Sequence, residues 1–158
     1  MAKGRQTVTY RPATVDDVPL LVAWHADPEV SRYWDGETFT PAEVRHRLER
    51  EAVDAWIVEE DGEPVGYLQS WWEEEGPRRG GLDGFLVPSA RGRGIMPVVA
   101  RMLAERLLDE GWQHATVDPY TWNGRAIRAW GKAGFVEESR HLPDDDHAAE
   151  WALMRFRR

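Results

Sequence analysis

The 158-residue chain has the length of one domain, predicted over 1–158, and a hydrophobic content of 42% indicates a packed globular protein rather than a disordered one. The absence of Cys excludes disulfides and thiolate metal sites and fits a reducing compartment such as the cytoplasm. A formal net charge of −8 argues against general nucleic-acid binding and suits either a cationic partner or solubility alone.

The first part of the chain predicts a strand followed by a helix. Polar and apolar residues alternate over 7–11, which is typical of a strand. The stretch 14–17 resembles a capping box, with Asp in place of the usual Glu at its last position. A helix should therefore run through 20–24, until Pro28 interrupts the pattern.

A second helix and a β-hairpin come next. The stretch 40–43 combines a Thr N-cap, a Pro at the first helical position and a Glu three residues after the cap. It predicts a helix that runs to about residue 51. Residues 55–59 and 64–72 have strand patterns, and the Asp-Gly pair at 61–62 is typical of a tight hairpin turn.

The stretch 81–94 passes from a predicted strand, 81–87, to the basic turn Arg-Gly-Arg-Gly at 91–94. A helix should start at Ile95 and end near Gly111. Free N–H groups at a helix start attract phosphate, and glycine lets a ligand approach the backbone, so the turn indicates an anion site. An ordinary strand-to-helix turn remains the alternative. The predicted apolar face of the helix is Ile95, Val98, Val99, Met102, Leu103 and Leu107.

The last third of the chain completes a mixed order of elements. It predicts a strand at 114–117, a helix at 123–132 closed by Gly134, and a hairpin of 135–140 with 150–156 around a polar turn at 143–147. The whole order is β-α-α-β-β-β-α-β-α-β-β. This order predicts an α+β fold with a mixed central β-sheet, flanking helices and one central βαβ unit.

Two segments together resemble the GNAT superfamily of acetyl-CoA-dependent N-acyltransferases. The basic turn matches the superfamily loop R/Q-x-x-G-x-G/A at Arg91, Gly94 and Met96. The segment 118–135 matches N-x-x-A-x-x-x-(Y)-x-K-x-G-F at Asn123, Ala126, Trp130, Lys132, Gly134 and Phe135. The resemblance implies the GNAT fold and acetyl-CoA as the cofactor. It also implies that the basic turn holds the anionic coenzyme A part of that cofactor.

Within the superfamily the chain is most similar to aminoglycoside 6'-N-acetyltransferases. The stretches that carry this likeness are 33–36, 62–70, 81–83, 118–119 and 125–128. It implies that acetyl-CoA acetylates a primary amine of a polycationic small molecule, namely the 6'-amine of an aminoglycoside, by direct attack in a ternary complex. Siderophore-biosynthesis acyltransferases share many of these stretches, which leaves acylation of a hydroxylysine-type precursor as an alternative.

The resemblance also implies a set of residues that contact the coenzyme. They are Phe85, Leu86, Val87, Arg91, Gly92, Arg93, Gly94, Ile95, Met96, Asn123, Ala126, Trp130 and Lys132. Three positions depart from the pattern. Met96 replaces a small residue, and Pro97 removes one N–H that could meet a phosphate. Trp130 stands where the family usually has the Tyr assigned to protonate the leaving thiolate, and an indole N–H does not give up its proton at neutral pH.

Asp83 and Asp118 are the predicted catalytic carboxylates. Asp is depleted in strands, and the resemblance places Asp83 at the substrate amine as a base or as an ammonium anchor. Asp118 follows the next parallel strand, at the sheet edge where ligands bind in open sheets. Aromatic and acidic side chains suit an aminocyclitol, so the predicted substrate contacts also include Tyr33, Trp34, Trp71, Trp72, Glu73 and Glu74.

Several alternatives stay open. No His has metal-ligand spacing apart from a weak cluster at 144–147, which is more typical of a polar hairpin turn, so no metal is predicted. Peptide N-terminal acetylation and a non-catalytic acyl-CoA or aminoglycoside-binding module are further possible roles. No apolar leader or membrane-length stretch is present, and the chain should act in the cytoplasm as a monomer or homodimer without membrane or nucleic-acid partners.

Overall fold

The computed structural model describes residues 6–158, so the first five residues of the domain predicted over 1–158 lie outside it. Across the described residues, seven strands form one sheet in the order β1-β2-β3-β4-β5-β7-β6. The strands are β1 Val8–Pro12, β2 Val53–Glu60, β3 Glu63–Trp72, β4 Gly80–Leu86, β5 Ala115–Val117, β6 Phe135–His141 and β7 Trp151–Phe156. β4 and β5 pair in parallel and the other neighbours pair antiparallel, which confirms the predicted α+β class and mixed sheet.

The same residues contain five α-helices. They are α1 Val18–Ala26, α2 Pro28–Ser31, α3 Pro41–Glu49, α4 Ile95–Asp109 and α5 Gly124–Ala133. α4 connects the parallel strands β4 and β5 and so forms the predicted central βαβ unit. Within residues 6–158 no helix combines the length and the hydropathy that crossing a membrane requires.

Local signals in the sequence explain where the first helices begin. Both predicted capping boxes are present, at Thr14 and at Thr40. Asp27 caps the single turn α2, which the sequence did not predict, by accepting a hydrogen bond from the Glu29 N–H at 2.9 Å. α3 ends at Glu49, before the predicted residue 51, because Arg50 is extended with a ψ of 134°, which does not continue a helix.

The helices cover both faces of the sheet. α1, α2 and α3 bury Leu21, Val30 and Val44 against Ile57 and Tyr67. α4 and α5 cover the opposite face, where the larger part of the core lies. Burial of these apolar side chains is the main stabilising contribution to such a layered fold.

The predicted apolar face of α4 needs a correction. Val98 and Met102 are 49% and 40% exposed. Small side chains on the neighbouring rows, Ala100 and Ala104, are fully buried instead, together with Met96. Small residues let the helix approach the sheet closely, so the buried stripe is displaced by about one row from the one that the large residues indicate.

The sheet opens between β4 and β5. Gly80 pairs with Ala115 and Gly81 with Thr116, and the two strands then separate. β4 continues along β3 as far as Leu86, so its edge facing β5 has no strand partner beyond Gly81 among the described residues. The resulting gap lies beyond the carboxyl end of β5 and along the rest of β4, on the side of an open sheet where ligands bind.

Candidate active site

The start of α4 lies at this opening and presents free backbone amides. Gly94 is its N-cap with a φ of +76°, and Gly92 has a φ of +77°. A left-handed conformation is strained for other residues, so the turn needs glycine at both positions. The amides of the first helical turn have no intrahelical acceptor and carry partial positive charge. The geometry is therefore that of an anion site.

A groove of about 510 Å³ runs from this turn along α5. Asn123 caps α5 by accepting a hydrogen bond from the Ala126 N–H at 3.1 Å, and both residues line the groove. Three cations on one face of α5 line it as well: Arg125, Arg128 and Lys132. A groove with free amides at one end and cations along its wall suits an elongated anionic ligand.

The two arginines of the turn have different surroundings. Arg91 lines the groove, donates from Nη2 to the Glu29 carbonyl at 2.7 Å and from Nε to the Leu86 carbonyl at 3.2 Å, and lies over the Tyr33 ring. It therefore connects α2 to the turn.

Two of the residues expected to contact the coenzyme, Arg93 and Val87, lie outside the groove lining. Arg93 forms an ion pair with Glu60 at 2.8 Å and does not line the groove. Val87 packs against the core, and its N–H donates to the Val65 carbonyl, extending the β3–β4 pairing. The remaining predicted coenzyme contacts, Phe85, Leu86, Gly92, Gly94, Ile95, Met96, Asn123, Ala126, Trp130 and Lys132, all line the groove.

Trp130 forms part of the groove wall. It is buried and packs edge-on against Phe135, with ring centroids 5.5 Å apart. This packing holds the indole in place as an apolar surface.

Asp83 lies on β4 at the opening, on the face covered by α1, α2 and α3. Its Oδ2 accepts a hydrogen bond from Gln69 Nε2 at 3.1 Å. The Tyr67 hydroxyl donates to Gln69 Oε1 at 2.8 Å and so turns the amide NH₂ toward the carboxylate. Burial and, next, the charge of Asp118 raise the pKa of Asp83 to about 7, against the lowering effect of Gln69. At neutral pH this carboxyl can both accept and release a proton.

Asp118 directly follows β5. The pairing of Gly81 with Thr116 brings Asp118 to the level of Asp83 on the far side of the opening. Its Oδ2 lies 2.6 Å from His147 Nε2. The two carboxylates therefore face one gap, and one of them carries an imidazole partner.

Aromatic side chains surround the opening, and the structure divides the predicted ones into groups. Tyr33 lines the groove and stands beside Trp122 with ring centroids 5.9 Å apart. Trp34 packs on Tyr67 and lines a second cavity of about 550 Å³, which also reaches Gln69. Trp71 is partly exposed on the same sheet face as Asp83, with its ring against Gly81.

Three of the residues expected to contact the substrate, Trp72, Glu73 and Glu74, lie away from Trp71 and Asp83. Trp72 points to the opposite face of the sheet, where its ring packs edge-on against Trp112. Successive residues of a strand point to opposite faces, so Trp71 and Trp72 cannot both line one cleft. Glu73 forms an ion pair with Arg79 at 2.8 Å, and Glu74 lies in the exposed turn beyond it.

The sequence interpretation missed several residues at the site. Arg125 and Arg128 share a face of α5 with Lys132, and their helical spacing could have indicated this. Arg47 of α3 lines the second cavity and lies over Trp34, Phe39 and Tyr67. His147 reaches Asp118 from a distant loop, and no local sequence pattern reports such a contact.

The site thus combines a cationic groove with an acidic gap. An elongated anion fits the first and an ammonium group the second, and Asp83 in the gap directly precedes Gly84, which lines the groove. A half-buried carboxyl with a pKa of about 7 can remove a proton from an ammonium group at neutral pH. Such a site is suited to transfer of a group from an anionic carrier to an amine.

Comparisons with known proteins agree with this geometry. Residues 7–136 match the family described as the acetyltransferase (GNAT) domain. The chain is 33% identical to the aminoglycoside N(6')-acetyltransferase type 1 of Klebsiella pneumoniae, over 98% of this chain and 87% of that protein. A solved structure of AAC(6')-Ib in complex with paromomycin and acetyl-CoA superposes with a TM-score of 0.81 and 32% identity, over 96% of this chain and 94% of that one. A shorter match, 35% over 65 residues, links 40% of this chain to 12% of the N5-hydroxyornithine acetylase sidL of Beauveria bassiana.

The matched domain defines an acetyltransferase of the GNAT fold. The chain belongs to this GNAT acetyltransferase family, as the paired motifs at 91–96 and 123–135 predicted, and it is an N-acetyltransferase.

Proposed function

We propose that the chain acts as one domain, 1–158, that acetylates the 6'-amine of an aminoglycoside with acetyl-CoA, by direct attack in a ternary complex. The observation that carries the proposal is the geometry of β4, on which Asp83 faces the acidic gap while the next residues, Gly84, Phe85 and Leu86, line the cationic groove. The likeness to aminoglycoside acetyltransferases over nearly the whole chain supports the substrate class. Acetyl-CoA is an intracellular metabolite, so we place the reaction in the cytoplasm.

The groove fits coenzyme A in charge and in shape. The free amides of Ile95 and Met96 would receive its diphosphate, and the α5 cations Arg125, Arg128 and Lys132 would face its negative charges. Because β4 separates from β5 beyond Gly81, the backbone groups on that edge of β4 are free to hydrogen-bond the extended pantetheine arm of coenzyme A. When bound, acetyl-CoA would supply the thioester carbonyl that the amine attacks.

Asp83 then acts as the base. In its ionised form it takes a proton from the substrate ammonium, which leaves a neutral amine able to attack a carbonyl carbon. Asp118, across the gap, holds a positively charged group of the substrate. Trp130 forms a wall of the groove and donates no proton, because an indole N–H is not acidic at neutral pH. After the attack the nitrogen releases a second proton to water as the amide forms, and the leaving thiolate is protonated by water or by the proton that Asp83 has gained.

Arg47 favours a second candidate substrate. Its guanidinium lines the cavity next to Gln69, stacks on three aromatic rings and pairs with no carboxylate among the described residues. A fixed cation near the acceptor site opposes a polycation and suits an amine that also bears a carboxylate. Hydroxyornithine and hydroxylysine have this combination, in line with the shorter match to a hydroxyornithine acetylase.

The test is thiol release from acetyl-CoA by the purified protein with kanamycin, tobramycin or N5-hydroxyornithine. We expect turnover with the aminoglycosides and a fall in kcat/KM of at least about 100-fold in Asp83→Asn, because the amide cannot accept the proton. Asp54→Asn, which alters an exposed carboxylate on β2, two strands away from Asp83, is the matched control and should keep wild-type rates.

Turnover with hydroxyornithine but with neither aminoglycoside would favour the second candidate. Turnover that survives intact in Asp83→Asn would contradict the role given to Asp83, whichever amine reacts.

A further inference from the structure

His147 lies between two carboxylates at the edge of the opening. Its Nε2 is 2.6 Å from Asp118 Oδ2, and its Nδ1 is 2.8 Å from Asp144 Oδ1. A neutral imidazole has one N–H, so one of its ring nitrogens would turn a lone pair toward an oxygen anion. The imidazolium ion donates from both nitrogens, and this arrangement of acceptors therefore selects the charged form.

The energetics agree with the geometry. Burial by itself would lower the pKa of His147, but the hydrogen bonds to Asp118 and Asp144 outweigh it and raise the pKa above the ordinary histidine value. The same bond from His147 lowers the pKa of Asp144. Both shifts favour the charged forms, the imidazolium of His147 and the carboxylate of Asp144, that make up the ion pair.

The imidazole is also fixed in orientation. It stacks on Trp151 with ring centroids 4.1 Å apart and an interplanar angle of 12°, and the Tyr120 ring meets it edge-on at 6.2 Å. Trp151 Nε1 donates to Asp144 Oδ2 at 3.1 Å, which secures the second carboxylate. The ring cannot turn away from Asp118 without losing the stacking and both hydrogen bonds.

We propose that His147 is a positioning residue for the acetyl transfer: a fixed cation that orients Asp118 and partly offsets its charge beside Asp83. The proposal rests on the proposed function in taking Asp83 as the base. His147 does not touch the reacting atoms in this scheme. It acts through Asp118, whose negative charge would otherwise act on Asp83 in full.

The direction of the effect follows from the charges that face these groups. Asp118 raises the pKa of Asp83, whereas His147 and Arg47 lower it. Loss of the His147 charge should therefore raise the pKa of Asp83 further, so that the base ionises only at higher pH. Besides Asp118 and Asp144, the groups around His147 are the Tyr120 hydroxyl, which donates to Asp35, and His141 on the other side of Trp151.

The kinetic test compares the pH dependence of kcat/KM in the wild type and in His147→Gln on the same amine, so that the substrate's own titration cancels. We expect the acid limb to move to higher pH by roughly one unit in His147→Gln. His147→Lys keeps a positive charge. We expect its acid limb to return most of the way to the wild-type pH, although the rate is lower. His141→Gln is the matched control, because His141 stacks on Trp151 but bonds only to Ser139 among the described residues.

An acid limb that stays at the wild-type pH in His147→Gln would overturn the proposal. A second measurement does not depend on any substrate: NMR titration of the His147 ring protons in the wild-type protein. We expect His147 to remain protonated above the ordinary pKa of about 6.5, and a titration at or below that value would also overturn the proposal. If no amine is acetylated, the proposed function fails while this titration still decides the state of His147.

Discussion

At the scale of single residues, His25 is a titratable group placed in an apolar core. It lies on α1 with no exposed surface, edge-on to the rings of Trp34, Phe39 and Phe85. The only polar contact of its Nε2 among the described residues is with Arg47 Nη1 at 3.0 Å, which makes Nε2 an acceptor. Burial and, next, the charge of Arg47 lower the pKa of His25 to about 4.

This histidine should make the fold sensitive to mild acid. Its folded pKa of about 4 lies below the ordinary value of 6.5, so the unfolded state binds a proton first as the pH falls. The contribution of the neutral ring to the free energy of unfolding is therefore full above pH 6.5 and is lost as the pH falls toward 4. The loss amounts to about 3 kcal/mol of unfolding free energy at most. Urea unfolding between these pH values measures it, and His25→Gln, which keeps an acceptor for Arg47, should flatten the slope.

His46→Gln on α3 is the control, because His46 is exposed. An equal acid slope in wild type and His25→Gln would mean that other groups destabilise the protein in acid.

The residues that sequence reasoning found and missed differ in what holds them. Asp83 is placed by its position in a strand and Asn123 by its role as a helix cap, so both can be recognised from a local sequence pattern. His147 and Arg47 act through partners on other elements, 29 and 22 residues away. Their roles depend on how loops and helices return to the sheet, which no local spacing encodes.

At the scale of elements, the start of α4 has one amide fewer than an ordinary helix. Pro97 occupies the third helical position, so the anion site lacks one N–H that a first helical turn without proline would offer. Pro97→Ala should restore it and tighten coenzyme A binding several-fold, since one hydrogen bond contributes about 0.5–1.5 kcal/mol. Calorimetric titration with coenzyme A measures the change.

The matched control is Pro64→Ala on β3, outside the groove, which should leave the Kd unchanged. Both variants gain flexibility in the unfolded chain, so a small loss of thermal stability is expected in each. Equal or weaker binding by Pro97→Ala would show that the missing N–H does not face the ligand.

The elements themselves were mostly predictable because their boundaries are local. The capping boxes, Gly134 with a φ of +113° and the Asp61-Gly62 turn all lie where their chemistry requires. The separation of β4 from β5 was not predictable in this way. It follows from the register of two strands joined by a whole helix, which determines where pairing stops.

At the scale of the whole molecule, the two ligands of the proposed reaction have opposite charges. The chain has a formal net charge of −8, whereas four cations, Arg91, Arg125, Arg128 and Lys132, line the groove. A net negative field attracts a polycation over long range, while a local cationic groove receives an anion at short range. The protein should therefore steer its amine substrate more strongly than its coenzyme.

This asymmetry predicts how the rate responds to salt. Raising the salt from about 20 to about 200 mM shortens the Debye length from roughly 20 Å to below 10 Å and weakens the attraction of a polycation. We expect kcat/KM for kanamycin to fall several-fold, through KM, with kcat nearly unchanged. A monoamine that carries a single charge is the control substrate, and its kcat/KM should fall much less. Equal salt slopes for the two amines would mean that the net charge serves solubility and does not attract the substrate.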